Sequence, residues 1–353
     1  MSIPQFNMLT DPVFPVVRVS GAKAWMAFAD LIVEEGDFAV AFDWPRADFN
    51  IASAELCIGV LGLAHKPADP DDWLDIWHGD ARTDMAARIE ALKPHFNLLG
   101  DENGQGPRFC QDFEALDGTP SAVEALLIDT PGVNGQRKNA DLLTHRDRFP
   151  GLGAKAAAMA LYTLQQFAPS GGAGNRTSMR GGGPMTTLCL PLNDGTPLPL
   201  ARTLLANLPM QFGRGSRLED TDIARILPWL RPTITSDGKP AHEITETDPA
   251  VHPAQALFGM PRRIRLVLQG EGICAMTGEF GPMITGFIQK PWGMNYSLWR
   301  HPLTPYRQTR DDAPYSVKPK PVRFGYRDWV GVTVGRADKT NQAYPADVVK
   351  HVI

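Results

Sequence analysis

The residues best suited to bind a ligand form one glycine-rich segment, from Ser170 to Pro184. It reads Ser-Gly-Gly-Ala-Gly-Asn-Arg-Thr-Ser-Met-Arg-Gly-Gly-Gly-Pro, with arginines at Arg176 and Arg180. Glycine lets the backbone adopt positive φ angles and lets another molecule approach the main chain closely. N–H groups exposed in such a loop hydrogen-bond phosphates or base edges, and arginines add charged contacts. The segment predicts either a nucleic-acid contact or a tightly turned connector.

The neighbouring glycines carry a weaker signal for a nucleotide-binding enzyme. The phosphate-loop motif GxxxxGK(S/T) is absent from the sequence, and the glycines from Gly172 onward do not complete GxGxxG. Gly151-Leu-Gly-Ala-Lys-Ala156 fits GxGxxA and opens a predicted helix, but the residues before it do not form an apolar strand. A nucleotide- or phosphate-binding enzyme that uses residues 151–184 stays open as an alternative.

Other catalytic and metal-binding patterns are scarce, and we predict no catalytic residue, no cofactor and no metal. HExxH, GxSxG and DxDxDG are absent, the histidines lack metal-ligand spacing, and the cysteines lie far apart without a CxxC motif. The four aspartates between positions 69 and 75 are interpreted as a solvated loop or a helix start. Lys290 stands out because it lies on a proline-bounded turn with aromatic neighbours, in Gly-Phe-Ile-Gln-Lys-Pro-Trp-Gly. Its ammonium group is a second candidate ligand contact.

Charge divides the chain into an acidic and a basic half. Residues 1–150 carry 12 Lys and Arg against 24 Asp and Glu, whereas residues 151–353 carry 23 against 15. A basic surface on an acidic body is typical of a subunit that contacts a polyanion on one side. The alternative is that these charges pair with one another inside the fold.

Length and composition predict a folded cytoplasmic protein without membrane contact. The 353 residues, of which 43% are hydrophobic and 21% charged, can bury a sizeable core. No run of 18 apolar residues indicates a membrane span, and the first residues lack the pattern of a secretory signal. The separated cysteines argue against a disulfide framework.

The elements that must position these residues show no regular alternation of strands and helices, which predicts an α+β fold without a clear domain boundary. Arg262–Gln269 alternates basic and apolar residues and predicts a strand with one basic face. We expect strands at 14–19, 186–191, 262–269, 284–290 and 328–334, and helices at 23–35, 49–65, 82–96, 154–167, 198–208 and 221–230. Core positions are expected for the tryptophans Trp77, Trp229, Trp292, Trp299 and Trp329.

Several motifs together resemble the CasA family, the large subunit of the type I-E CRISPR surveillance complex Cascade. The longest is the stretch 168–187, which contains the glycine-rich segment. The others occur in the same order as in the family: Asn7-Met-Leu-Thr-Asp-Pro12, Phe42-Asp-Trp-Pro-Arg46, Pro107-Arg-Phe-Cys-Gln-Asp112, Phe258-Gly-Met-Pro-Arg-Arg-Ile-Arg265 and His301-Pro-Leu-Thr-Pro-Tyr306.

The resemblance implies a DNA-binding subunit that is not an enzyme. Family members read the protospacer-adjacent motif (PAM) on double-stranded DNA, largely from the minor groove. They help to start unwinding so that the guide RNA pairs with its target, and they recruit a separate helicase-nuclease. The implied partners are therefore target DNA, the 5′ handle of the guide RNA, the other Cascade subunits and that effector.

The resemblance also implies which residues do this. The family's minor-groove lysine falls on Lys290, with Pro291 as the choice if the register slips by one. The family loop near the guide handle and the PAM falls on Leu142, Leu143 and Thr144. The family's DNA-contacting glycine loop falls on Ser170, Gly171, Gly172, Ala173 and Gly174, and we add the next two residues, Asn175 and Arg176, as candidate DNA contacts.

Two departures from the family pattern lead to further expectations. Some relatives carry paired cysteines near positions 149–152 and 274, which indicates a zinc site, but here only Cys274 remains and we expect no zinc. Family chains also continue into a wedge-bearing hairpin and a C-terminal four-helix bundle. We expect residues 1–353 to form the N-terminal domain alone, with the wedge and bundle missing. A purely structural assembly subunit is the third function that we keep open.

Overall fold

The computed structural model describes residues 5–65, 67, 69–79, 82–100, 104–210, 220–319, 324–338 and 340–350. The described strands are β1 Phe14–Arg18, β2 Lys23–Met26, β3 Ala39–Phe42, β4 Ser121–Ala122, β5 Leu152–Gly153, β6 Arg263–Ile273, β7 Phe280–Lys290, β8 Tyr306–Thr309, β9 Tyr315–Ser316, β10 Arg336–Ala337 and β11 Asn341–Tyr344. The described α-helices are α1 Phe28–Leu31, α2 Ala47–Ala64, α3 Pro70–His78, α4 Arg82–Leu92, α5 Val133–Arg137, α6 Ala154–Phe167, α7 Leu200–Ala206, α8 Ile223–Ile226, α9 Tyr326–Thr333 and α10 Asp347–Lys350. Short 3₁₀ turns span Lys93–Phe96, Val123–Leu126, Asp220–Asp222, Pro228–Leu230 and Pro253–Leu257.

The described strands form three separate antiparallel sheets, which confirms the α+β prediction. The first has the order β2-β1-β3 and the second the order β10-β11-β8-β9. In the third, the long hairpin of β6 and β7 is extended by the short strands β4 and β5, which both pair with β7. All pairs of these strands are antiparallel, and none forms a parallel β-α-β unit.

Helices α2 and α6 form the centre of the hydrophobic core. The sequence of α2 is apolar on nearly every face, and fourteen of its residues, from Phe49 to Ala64, are buried. Its 18 residues have a mean hydropathy of 1.4, so by length and composition the helix could cross a membrane. However, 78% of the helix is buried inside the fold. The alanines of α6 let this helix pack closely against α2, because small side chains permit a short distance between helix axes.

Several predicted elements are confirmed, since their local patterns were strong. Helix α6 has the predicted bounds, and α2 and α4 lie within a few residues of theirs. Strands β6 and β7 lie where they were predicted, although each is longer, with eleven residues. The aspartates at positions 69–75 belong to the start of α3, where the Asp69 carboxylate accepts the Asp72 N–H at 3.0 Å as an N-cap.

Two predicted elements have the wrong type. The expected helix 23–35 begins as strand β2, because Gly21 turns the chain at φ +85° and Lys23 to Met26 pair with β1. The expected strand 328–334 is part of helix α9, whose start is fixed by the Asp328 carboxylate accepting the Gly325 N–H at 3.0 Å. In both cases tertiary pairing or capping outweighs the side-chain periodicity.

Two further predicted elements are absent or shorter in the structure. Residues 186–191 form no strand in the structure, because Thr187 makes a single backbone hydrogen bond to Leu303 rather than a ladder. The expected helix 221–230 is interrupted by Pro228, which leaves α8 and a 3₁₀ turn. Of the five tryptophans, Trp229 and Trp299 are buried and Trp77 is half-buried, but Trp292 and Trp329 are exposed, so their predicted core positions are wrong.

Candidate nucleic-acid interface

Residues Ser170–Gly174, which we call the glycine loop, leave the buried end of α6 and return to it. The loop is closed at its base, where the Ser178 N–H donates to the Ala168 carbonyl at 3.0 Å. Beside this closure, Arg262 Nη2 donates to the Pro169 carbonyl at 2.7 Å. Arg262 is itself buried, and burial lowers the pKa of its guanidinium. The buried arginine therefore anchors the loop from inside the fold.

The tip of the glycine loop faces solvent. Ser170 to Ala173 are exposed, whereas Gly174 is buried. Gly172 and Gly174 adopt positive φ angles of 84° and 77°, which non-glycine residues rarely adopt. Among the described residues no hydrogen bond uses the N–H groups of Gly171, Gly172 or Ala173. An approaching anion or base edge would find these donors free.

Two of the glycines are required by close packing. A Cβ atom on Gly171 would lie 2.7 Å from Arg262 Nη1 and 2.8 Å from Asn175 Cβ. A Cβ on Gly174 would lie 2.6 Å from Pro291 Cβ. By contrast, nothing lies within 4 Å of a Cβ on Gly172. The loop is thus pressed against Arg262 on one side and Pro291 on the other, with Gly172 open at the tip.

Asn175 braces the loop from within. Its Nδ2 donates to the Gly171 carbonyl at 2.8 Å, and its own N–H donates to the Gly172 carbonyl at 3.1 Å. Its Oδ1 accepts a hydrogen bond from Gln289 Nε2 on β7. The half-buried Asn175 side chain is therefore occupied by protein contacts that fix the loop to the β6–β7 hairpin.

The structure brings the residues on either side of Lys290 into contact with the glycine-rich segment. Lys290 ends β7, and the next residues contact the loop directly: Pro291 packs against Gly174, and the Trp292 N–H donates to the Gly174 carbonyl at 2.8 Å. Across the hairpin Lys290 pairs in register with Arg263. In the described part of the chain, the half-buried Lys290 forms no ion pair.

Arg176 and Arg180, which were predicted to add charged contacts, have different surroundings. Arg176 donates from Nε to Ser236 Oγ at 2.8 Å, and its guanidinium lies over the Trp292 ring, 5.2 Å from the centroid. Arg180 is buried and forms a bidentate ion pair with Glu55. The predicted contact of Arg180 with an external ligand is wrong, because its guanidinium lies in the core.

The basic face predicted for β6 is also satisfied inside the fold. Arg263 forms ion pairs with Asp112 at 2.6 Å and with Glu114 at 2.9 Å. Arg265 is buried and donates to the Glu114 carbonyl at 3.1 Å, and desolvation lowers its pKa to about 10. Arg263 therefore pairs with carboxylates inside the fold, as the alternative interpretation of the charge pattern expects, whereas the hydrogen bond of Arg265 is to a backbone carbonyl.

The three residues of the predicted guide-proximal loop, Leu142, Leu143 and Thr144, belong to a turn held by Arg146. Leu142 and Leu143 are 89% and 100% exposed, and Thr144 is half-buried. Arg146 organises this turn by binding the Asp141 carboxylate at 2.6 Å. No hydrogen bond or ion pair between described residues joins positions 142–144 to positions 170–174. Two fully exposed leucines are suited to packing against another molecule.

The glycines at 151–153 do not form a nucleotide site. Gly151, Leu152 and Gly153 are buried, and Leu152 and Gly153 form β5, which pairs with β7. A Cβ on Gly151 would lie 2.8 Å from Met283, and one on Gly153 would lie 3.0 Å from Cys274 Cβ. These glycines admit the protein's own hairpin, so the start of α6 offers no room for a phosphate.

Within the part of the chain that the structure describes, no group of three or more His, Cys, Asp or Glu residues is arranged to hold a metal ion. Cys274 is buried against Gly153. Burial raises the pKa of the Cys57 and Cys110 thiols well above the ordinary value. These thiols stay protonated and pack as small apolar groups.

Sequence reasoning missed the residues that hold the interface together. Ser236, Gln289 and Trp292 join the glycine loop to the β6–β7 hairpin and to the 231–238 segment. For Trp292 the sequence did contain a signal of its role: it lies two residues after Lys290, in a turn bounded by Pro291 and Gly293. The roles of Ser236 and Gln289 depend on tertiary contacts, and no local pattern indicates them.

Comparisons with known proteins agree with the motifs. A model of the CRISPR-associated protein Cse1 family matches residues 7–352. Among solved structures, Thermus thermophilus CasA (Cse1) is 19% identical with a TM-score of 0.65, and the match covers 99% of this chain and 67% of that one. Cse1 from Acidimicrobium ferrooxidans is 17% identical with a TM-score of 0.67, over 100% of this chain and 64% of that one.

A chain of a CRISPR RNA-guided surveillance complex is also similar, with 16% identity, a TM-score of 0.61 and coverage of 98% of this chain and 68% of that one. At these identities the structural likeness establishes the fold alone. The chain thus spans about two thirds of the length of the structures that it matches, 64% for Acidimicrobium ferrooxidans Cse1. The family match covers nearly every residue of this chain. Cse1 is also called CasA, the family name that the sequence motifs indicate. The chain therefore belongs to the CRISPR-associated Cse1 family.

Proposed function

We propose that this chain is the PAM-recognising, DNA-binding subunit of a type I-E Cascade complex in the cytoplasm. In this role it helps to open the target duplex and to recruit the helicase-nuclease. The observation that carries the proposal is the contact between the glycine loop and the end of β7. It supports the proposal because the loop, whose N–H groups are free among the described residues, contacts Pro291 and Trp292, the two residues that directly follow Lys290.

The chemistry of this contact suits minor-groove recognition. The minor groove is about 6 Å wide, so a side-chain-poor loop enters it more easily than a helix does. Lys290 supplies the positive charge that phosphates and the groove attract. Contacts in the minor groove distinguish only a few types of base pair. This is sufficient because pairing with the guide RNA reads the rest of the target sequence.

Assembly with the other Cascade subunits is supported by the likeness to a chain of a surveillance complex. The exposed Leu142 and Leu143, with Thr144, form the surface that we assign to the guide RNA handle and its surroundings. Opening the first base steps of the target costs a few kcal/mol, which contacts to the DNA backbone offset. We therefore assign duplex opening to the assembled complex, in which this chain takes part, and not to this chain alone.

The proposal is tested by measuring duplex binding in the assembled complex. The probe is a set of target duplexes whose flanking positions are randomised, and bound molecules are sequenced to find the preferred motif. Lys290→Ala removes the charge, and Gly172→Asn adds a side chain at the open tip in a backbone conformation that asparagine tolerates. We expect each variant to weaken motif-dependent binding while guide loading stays unchanged.

Matched controls separate the site from general effects. Lys23→Ala removes an exposed lysine on a different sheet, and Gly36→Asn adds the same side chain at another exposed glycine with positive φ and open space. Both should bind like the unaltered protein. Binding that is independent of the flanking sequence in the unaltered complex would contradict the proposal and favour a purely structural subunit.

A further inference from the structure

We propose that Trp292 is a further DNA-contacting residue, an aromatic wedge whose indole ring stacks on a base beside the motif and displaces it from its neighbour. This inference rests on the proposed function, because it assumes that a duplex lies on the glycine loop and Lys290. It gives the turn that follows β7 a direct part in unstacking the bases of the target DNA.

The backbone of Trp292 is held in a conformation that bulky residues rarely adopt. Its φ angle is +66°, in the left-handed region. Its N–H donates to the Gly174 carbonyl at 2.8 Å, and its carbonyl accepts the Ser236 N–H at 3.1 Å. Gly293 follows where a Cβ would lie 2.1 Å from the Pro261 carbonyl oxygen. Three segments thus fix the direction in which the indole leaves the chain, and such conformations cluster at functional sites.

The indole lies against a cation, and the residue is partly exposed. Arg176 lies over its ring at 5.2 Å, and Ser236 holds the same guanidinium through hydrogen bonds of 2.8 and 3.1 Å. The side chain of Trp292 is nevertheless 38% exposed, in contrast to the fully buried Trp229. A ring that is backed by a fixed cation and open to solvent can stack on a base without a change of rotamer.

The position of Trp292 relates the ring to both proposed DNA contacts. It lies two residues after Lys290 and is hydrogen-bonded to Gly174. A Cβ on Gly174 would be 3.5 Å from the indole Cε2, so a side chain at position 174 would reach the ring. A duplex that touches the loop and Lys290 therefore meets the ring as well. Apolar side chains inserted between base steps from the minor groove partially unstack and kink the duplex.

The test replaces Trp292 by glycine and by phenylalanine in the assembled complex. Trp292→Gly removes the ring and relieves the positive φ, so the loop keeps its conformation, whereas Trp292→Phe keeps an aromatic ring. The probe is a target duplex with the preferred flanking sequence and 2-aminopurine, whose fluorescence rises on unstacking, at successive steps beside the motif. We expect Trp292→Gly to bind about 5- to 150-fold more weakly, as for loss of one base stack, with no fluorescence rise. Trp292→Phe should restore part of both signals.

The outcomes distinguish this inference from the proposed function. If the unaltered complex shows no motif-dependent binding, the proposed function fails and the wedge fails with it. If the unaltered complex binds with motif dependence and Trp292→Gly keeps the same affinity and the same fluorescence rise, only the wedge is overturned. A Trp292→Gly complex that loses affinity but keeps the fluorescence rise also overturns the wedge, because the ring would then add only surface contact.

Discussion

Arg180 and Glu55 form a bidentate ion pair in the core of the protein, with Arg180 Nη2 2.8 Å and Nη1 3.0 Å from the two carboxylate oxygens. Their side chains are 1% and 0% exposed. Arg180 also donates to Thr304 Oγ1 at 3.2 Å, and its guanidinium lies 4.7 Å from the Phe167 ring centroid. The pair joins the middle of α2 to the second half of the glycine-rich segment.

We predict that breaking this pair is strongly destabilising, whereas replacing both partners is less so. Arg180→Met leaves a buried carboxylate without its cation and should lower the free energy of unfolding by about 3 to 5 kcal/mol. Arg180→Met combined with Glu55→Leu removes both charges and should recover part of that loss. Denaturant unfolding of Arg180→Met, Glu55→Leu and the double variant gives the coupling free energy between the two side chains. Additive losses would show that the two side chains do not depend on each other.

We predict that two alanine substitutions in the glycine loop differ in their effect on folding. Gly172→Ala meets open space and costs only the positive φ, about 1 kcal/mol of unfolding free energy. Gly174→Ala adds a clash with Pro291 to the same strain and should cost about 2 to 4 kcal/mol. Chemical denaturation followed by tryptophan fluorescence measures both. Equal losses would mean that Pro291 moves aside easily and that the loop is not pressed against β7.

The parts of this fold that the sequence predicts are those set by local pattern. Helix α6 and the β6–β7 hairpin follow directly from helical and alternating periodicity. The location of the glycine loop follows from its composition. The assignment of Trp329 to a strand fails because its alternating apolar neighbours fit a half-exposed helix equally well, and the Gly325 start decides between them.

The arrangement of the candidate site depends on contacts between distant residues. Gln289 and Asn175 are 114 residues apart, and Pro291 and Trp292 meet Gly174 only because the folded chain brings the end of β7 to the loop. The burial of Arg180 had one sequence signal, which is Glu55, a lone acidic residue within the apolar run of α2. A carboxylate in such a helix requires a buried cationic partner, but the sequence does not say which arginine supplies it.

We predict that Lys290 contributes one phosphate-type contact to duplex binding. When binding constants of the assembled complex are measured over a range of salt concentrations, Lys290→Ala should make the slope of log K against log salt about 0.9 less steep. Lys23→Ala, which removes an exposed lysine paired with Asp43, should leave the slope unchanged. A Lys290→Ala slope equal to that of the unaltered complex would remove this lysine from the electrostatic contact.

We predict that His301 makes the protein less stable as the pH falls below about 6.5, the ordinary histidine pKa. His301 is buried, its Nδ1 accepts the Leu303 N–H at 3.2 Å, and its Nε2 has no hydrogen-bond partner among the described residues. Burial, and then the positive charge of Arg180, lower the pKa of the folded-state imidazole well below that value.

Below pH 6.5 the unfolded chain therefore binds a proton at position 301 that the folded chain does not, and protonation favours unfolding. The free energy of unfolding should fall by up to about 1.4 kcal/mol per pH unit from this group, and the loss stops only below the folded pKa. His301→Asn keeps an acceptor for the Leu303 N–H and has no proton to bind. It should be less stable at pH 7 but should have a flatter profile between pH 7 and pH 5. Because burial also lowers the pKa of half-buried His95, the comparison is the difference in slope between His301→Asn and the unaltered protein. Parallel profiles would show that the imidazole at position 301 is protonated equally in the folded and unfolded chains.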